Sequence, residues 1–142
     1  MPEAIRPILL AGAVVMRRND LLVIHVGEPP ARRRWSVPTA PVRPGESLVE
    51  CAVRAVEGAT GLPALSGEFL GWFESFPDGT ASDENHHVVM CFEAVVLDPV
   101  HPTPGPGVAE ARWMPVWEVS ELPLADGLAD LLSEHGVIDT LG

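Results

Sequence analysis

The side chains able to do chemistry fall into a few groups along the chain. Arg32-Arg33-Arg34, with Arg43 across the following loop, can take a phosphate or carboxylate by charge and forked hydrogen bonds. The competing reading is a solvated loop cluster, or pairing with acids from elsewhere. Glu46, Glu50, Arg54 and Glu57 follow, at spacings that bring several of them together on a helix. Farther on, Glu74, Asp78, Asp83, Glu84, His86 and His87 offer the carboxylate and imidazole donors that suit a metal, although no tight ligand spacing stands out. Glu93 stands inside an apolar run, where an unpaired carboxylate would be costly. It either faces an open cavity or has a partner such as His87 on the same face, which makes it a candidate functional acid. A structural ion pair is the equal alternative. Trp72, Trp113 and Trp117 could stack on a base, though aromatic residues in strands more often fill a core.

These groups need elements to position them. Ile8–Met16 and Leu21–Val26 flank the polar break Arg17–Asp20 and predict a β-hairpin. Glu28–Arg34 predicts a loop and Trp35–Val37 the start of a short strand. Ser47–Ala59 has helical spacing, with Leu48, Val49, Ala52, Val53 and Val56 as the apolar face. Ser47 suits the N-cap, Glu50 completes a capping box, and Gly61 is placed to stop the helix. Phe69–Phe76 and His86–Leu97 read as strands joined by the acidic loop Pro77–Asn85. Alternation puts His87, Val89, Cys91, Glu93 and Val95 on one face of the second. The proline- and glycine-rich Pro99–Gly107 is a loop. Trp113–Val116 is short and extended, and Asp126–His135 closes as an amphipathic helix with Gly136 past its end. This order predicts an α+β fold, a mixed sheet with helices packed against it, in one domain spanning residues 1–142.

Composition narrows the function. The chain has 142 residues, enough to bury roughly two-thirds of its unfolded surface. Its 20 acids face 9 cations, all of them Arg, for a net charge of −11. Eight of the Arg lie in residues 1–54 with five acids, and one lies in residues 55–142 with fifteen. Such a balance disfavours a nucleic acid polymer as partner but leaves room for a small anion at the basic end. The longest apolar runs are half the length that spans a bilayer, so no membrane partner is expected. No signal peptide is visible, and Cys51 and Cys91 lie in apolar segments without metal-like spacing. A cytoplasmic location is the expectation.

Trp35 to Leu62, WSVPTAPVRPGESLVECAVRAVEGATGL, resembles the Nudix box of the MutT-like hydrolases, with the strand that leads into it. Glu46 falls on the box's first glutamate, Arg54 on its arginine, Val56 on its aliphatic position and Gly61-Leu62 on its final pair. Trp35 and Pro38 match the usual Trp-x-x-Pro lead-in, and Gly45-Glu46-Ser47 the usual Gly-Glu-Ser. Ala109–Val119 is similar to the family's late Glu-x-x-Trp segment. The resemblance runs over nearly the whole chain and implies a Nudix α/β/α sandwich with a mixed, curved sheet. It also implies that Glu46, Arg54 and Gly61 are motif residues that hold loop and helix together, with Glu46 alternatively a remnant of catalysis.

The departures bear on function. The box glycine is Ala40, and three glutamates of the box helix are Ala55, Gly58 and Ala59. In the family those carboxylates gather Mg²⁺ or Mn²⁺ and help activate the water that cleaves a diphosphate. Residues at i, i+3 and i+4 project from one helix face, and a hard cation needs oxygen ligands there. Ala, Gly and Ala offer none. Glu50 and Glu57 are the remaining candidate ligands near the helix, but Glu57 lies about 200° round from residue 55 by the helical period, so it does not simply take over.

Three readings follow. The first is a Nudix-superfamily protein without ordinary pyrophosphohydrolase activity that binds a nucleotide-type ligand through Arg32, Arg33, Arg34, Arg43, Glu74 and His87, with no cofactor. The second is a hydrolase of a nucleoside diphosphate linked to another group, with Mg²⁺ or Mn²⁺ and carboxylates outside the usual set, Glu46 and Glu93 being the candidates. The third is a non-catalytic interaction module forming a homodimer.

Overall fold

The computed structural model describes residues 7–26, 34–76, 86–98 and 100–138. Arg32, Arg33, Asp78, Asp83 and Glu84, and the loops that carry them, lie outside the described residues.

The opening apolar runs form β1 (Pro7–Arg17) and β2 (Asp20–Val26). Arg17 pairs with Asp20, so the expected four-residue break tightens to a two-residue turn at Arg18-Asn19. Arg18 takes the left-handed conformation there, with φ 57°. The next strands, β3 (Trp35–Ser36) and β4 (Thr39–Pro41), are short. The sequence reading has no strand over 39–41. It forms because the edge of β1 offers partners, Leu10, Ala11 and Gly12, to Pro41, Ala40 and Thr39.

The remaining strands are β5 (Ala64–Ser75), β6 (His86–Val96) and β7 (Val108–Pro115). β1 runs parallel to β6 from Pro7/His86 to Val15/Ala94, and β6 is antiparallel to β5. β2 carries β3 and β7, both antiparallel. One parallel pair among antiparallel ones makes the sheet mixed, as expected. β5 starts at Ala64 rather than Phe69 because Ala64, Leu65 and Ser66 pair with Val96, Val95 and Ala94. Irregularities between Ser66 and Phe69 and between Phe69 and Gly71 absorb the extra residues. β7 starts at Val108 rather than Trp113 because β2 pairs with it as far as Val26.

Helix α1 (Leu48–Thr60) lies on one face of the sheet. α2 (Val116–Val119) and α3 (Leu128–Glu134) lie on the other. Alternation along β1 decides the division: Ala11, Ala13 and Val15 pack toward α1, and Val14 toward α3 with Val89, Cys91, Leu128, Leu131 and Leu132. This is the expected α/β/α sandwich. The closing helix is shorter than Asp126–His135, beginning after Gly127, whose φ of 81° is left-handed.

The buried face of α1 is Cys51, Ala52, Ala55, Val56, Ala59 and Thr60, while Val49 is exposed. That face is rotated from the one expected. Hydrophobicity ranks Val above Ala, but a helix laid close on a sheet favours small side chains in the seam. Both cysteines are buried and free. Among the described residues no helix is long and apolar enough to cross a membrane.

Candidate functional site

The loop entering α1 and the first turns of the helix are tied by one carboxylate. Arg54 Nε donates to Glu46 Oε2 at 2.7 Å and Arg54 Nη2 to Glu46 Oε1 at 2.8 Å, a forked pair. The Arg43 backbone N–H donates to Glu46 Oε1 at 3.0 Å, and Arg54 Nη2 also reaches the Pro41 carbonyl at 2.6 Å. The guanidinium, helped by the Arg43 N–H, holds the Glu46 carboxyl down at about 2, from an ordinary 4.5. Glu46 is therefore a bound carboxylate, poorly suited to accept a proton near neutrality. Arg54 goes to Glu46 rather than to Glu50 or Glu57 along the helix. Glu50 closes the capping box: its N–H donates to Ser47 Oγ at 3.0 Å, and the Ser47 N–H donates to Glu50 Oε1 at 3.1 Å. At the other end Gly61, with φ 72°, donates its N–H to the Glu57 carbonyl.

The three helix positions that could hold a divalent cation carry no side-chain oxygen. Ala55 is 2% exposed and Ala59 8%, so both lie in the packed seam. Gly58 is exposed, and a Cβ built on it meets nothing within 4 Å. The loop before β7 closes against this last turn of α1. The Thr103 N–H donates to the Thr60 carbonyl at 2.8 Å and the Gly105 N–H to the Ala59 carbonyl at 3.1 Å. Two carbonyls that the helix end leaves without partners are satisfied in this way. Gly105 is required by the contact, since a Cβ there would sit 1.8 Å from the Gly58 carbonyl oxygen. Mg²⁺ or Mn²⁺ does not fit this donor set, and among the described residues no group of three His, Cys, Asp or Glu could hold a metal ion.

The other candidates are spread over the fold. Glu74 on β5 meets His86 on β6, with Oε2 and Nε2 2.7 Å apart, and the His86 ring stacks on Phe76. His87 lies 3.5 Å from Ser75 Oγ rather than beside Glu93. Glu93 is exposed at a groove of about 410 Å³ lined by Val14, Met16, Leu70, Val95 and His135. Of the two alternatives for Glu93, the open cavity is therefore the one found, and it lies on the α3 side of the sheet, away from α1. Arg34 pairs with Asp126. Trp72 and Trp117 are exposed rather than core, because β5 is the sheet edge and α2 is a single surface turn. Trp113 carries the Arg17 guanidinium over its ring, 4.6 Å from the centroid. Sequence reasoning passed over His25, which stacks on Trp35 at 4.7 Å with its Nε2 buried and, among the described residues, without a hydrogen-bond partner. Its signal was faint: a single histidine at the end of an apolar strand.

Comparison with known proteins gives a consistent outcome. The NUDIX domain model matches residues 7–134. The MutT protein from Methanosarcina mazei Go1 superposes with a TM-score of 0.79 at 17% identity, over 95% of this chain and 96% of that one. The MutT Nudix hydrolase from Burkholderia pseudomallei gives 0.74 at 18%, over 90% and 97%. A C. elegans Ap4A hydrolase gives 0.70 at 18%, over 91% and 95%. No functionally curated protein matches the sequence. At these identities the solved structures speak for the fold alone.

Proposed function

Because the chain belongs to the Nudix family, we propose that it binds a nucleotide-type ligand without the metal-dependent pyrophosphohydrolase chemistry the family is known for. One observation carries the second half of this reading. The positions that should supply carboxylates are Ala55, Gly58 and Ala59, two of them packed in the seam and the turn that bears them capped by the 101–107 loop. A diphosphate repels an incoming nucleophile, and without a cation to offset that charge the ordinary water attack loses its main assistance.

The ligand half is supported by the distribution of cations. Arg43 lies in the loop into α1, with Arg32, Arg33 and Arg34 earlier in the sequence, of which Arg34 also pairs with Asp126, and forked guanidiniums suit phosphate oxygens. The Ap4A hydrolase among the superposing structures acts on a nucleotide, which sets the ligand class offered here. Glu74 and His87 are further from the argument, since each already has a neighbour in the β5–β6 pair. A surviving hydrolase would need Glu93, which stands on the opposite side of the sheet from α1.

Turnover tests the reading. A panel of nucleoside di- and triphosphates, ADP-ribose and dinucleoside polyphosphates is incubated with Mg²⁺ or Mn²⁺ and with EDTA. The expected result is no phosphate or mononucleotide release above the metal-free control. Metal-dependent release from any of them overturns it for that substrate.

A further inference from the structure

Strand β6 carries a carboxylate where its neighbours are apolar. Glu93 pairs in register with Val14 on β1, and Cys91 and Val95 flank it on the same face of β6. Its carboxylate makes no ion pair or hydrogen bond among the described residues. Arg17, the cation closest to it along β1, lies instead over Trp113, which packs on the α1 side of the sheet. The charge of Glu93 is left without a counterion at the side of the groove of about 410 Å³ between the sheet and the end of α3.

β5 keeps this groove open at both of its polar groups. A Cβ on Gly67 would stand 3.4 Å from the Cβ of Glu93, so a longer side chain there would lie against the carboxylate. A Cβ on Gly71 would come within 2.9 Å of Leu131 Cδ1 and 3.6 Å of His135 Nε2. The turn that ends α3 supplies the remaining wall, with His135 and Val137. No Arg stands in the last turn of α3, so this wall brings no cation to Glu93 either. The groove thus has apolar sides, one unmatched negative charge and one imidazole.

We propose that this groove binds a small organic amine, its ammonium on Glu93 and its apolar body along Val14, Met16, Val95 and Val137. The volume falls within the roughly 300–1,000 Å³ of small-molecule sites, which pair apolar walls with a few polar groups that fix orientation. An ammonium on Glu93 makes a charge-assisted hydrogen bond, and the apolar walls keep water from part of that pair, which strengthens it. His135 offers a ring nitrogen to a further polar group on the ligand. A bare divalent cation is not served, since among the described residues no three His, Cys, Asp or Glu converge. Phosphates are repelled by Glu93, so this site is separate from the nucleotide reading and stands or falls without it.

Amide NMR of the whole chain tests this, with titrations of hexylamine, hexanol and hexanoate at neutral pH. The probes share an apolar body and differ in charge. Saturable shifts at Gly67, Leu70, Glu93, Val95 and Gly136 are expected with hexylamine, at an affinity about tenfold above that of hexanol, and none with hexanoate. Glu93→Gln should bring hexylamine down to the level of hexanol at an unchanged melting temperature, because the carboxylate is exposed and unpaired. Glu93→Arg should reverse the preference toward hexanoate. Should either variant fold poorly, Val95→Trp fills the groove from an exposed position and should weaken hexylamine. Equal binding of the probes overturns the proposal, as does hexylamine binding indifferent to Glu93→Gln and Val95→Trp. So does the absence of saturable shifts at the groove up to the solubility of the amine.

Discussion

Gly105 rests on the last turn of α1 with no room for a side chain, since its Cβ would fall 1.8 Å from the carbonyl oxygen of Gly58. Gly58 itself has open space on its own side, so the two glycines of this contact should respond oppositely to the same change. Gly105→Ala must lift the loop and lose its bonds to Ala59 and Thr60, at a cost of about 2 kcal/mol for two hydrogen bonds. Gly58→Ala should stabilise the protein by about 0.5–1 kcal/mol through helix propensity and a less flexible unfolded chain. Urea unfolding of the two variants measures both signs.

Rebuilding the box is a harder change than it looks in the sequence. Gly58→Glu has space, but Ala55→Glu and Ala59→Glu push carboxylates into the seam between α1 and its surroundings. The triple variant should melt below the parent in EDTA, since buried unpaired charges are costly. If these positions converge as the helix geometry requires, Mn²⁺ should recover part of the loss. Calorimetric titration of Mn²⁺ into the triple variant should show binding that the parent lacks.

Acid should act through Glu46. Its carboxyl is held at about 2 in the folded chain against 4.5 ordinarily, so the unfolded chain binds its proton first as pH falls. The stabilisation is fully present above pH 4.5 and drains away as pH falls toward 2. Glu46→Gln should lower the stability at neutral pH and flatten this acid limb in chemical unfolding followed from pH 6 downward. An unchanged limb would mean that Arg54 does not hold the carboxylate in solution.

The thiols should be inert while the protein is folded. Burial pushes Cys91 up to about 12 and also raises Cys51, so little thiolate exists at mildly alkaline pH and neither sulfur is accessible. A colorimetric thiol reagent should label neither cysteine in the native state and both in denaturant.

What the sequence made legible was local. Ser47, Glu50 and Gly61 act within one or two turns of their own positions, so the ends of α1 could be read from spacing alone. The sandwich and the family followed from the order of apolar runs and the residues from Trp35 to Leu62. What could not be read depended on neighbours distant in the chain. β4 and the first half of β7 exist because β1 and β2 present free edges to them. The inward face of α1 was misplaced because Val49 outranks Ala55 in hydrophobicity, whereas the close approach to the sheet selects the smaller residue. The same fact altered the meaning of the site. Ala55 and Ala59 are packed residues as well as missing carboxylates.

The account turns on whether a nucleotide binds with no metal present. Calorimetric titration of ADP-ribose and of nucleoside di- and triphosphates into the protein in EDTA, repeated with Mg²⁺, tests this directly. Binding of at least one nucleotide in EDTA is expected, with an affinity that Mg²⁺ leaves unchanged and a matching rise in melting temperature. Binding that appears only with Mg²⁺, accompanied by release of cleaved product, would contradict it.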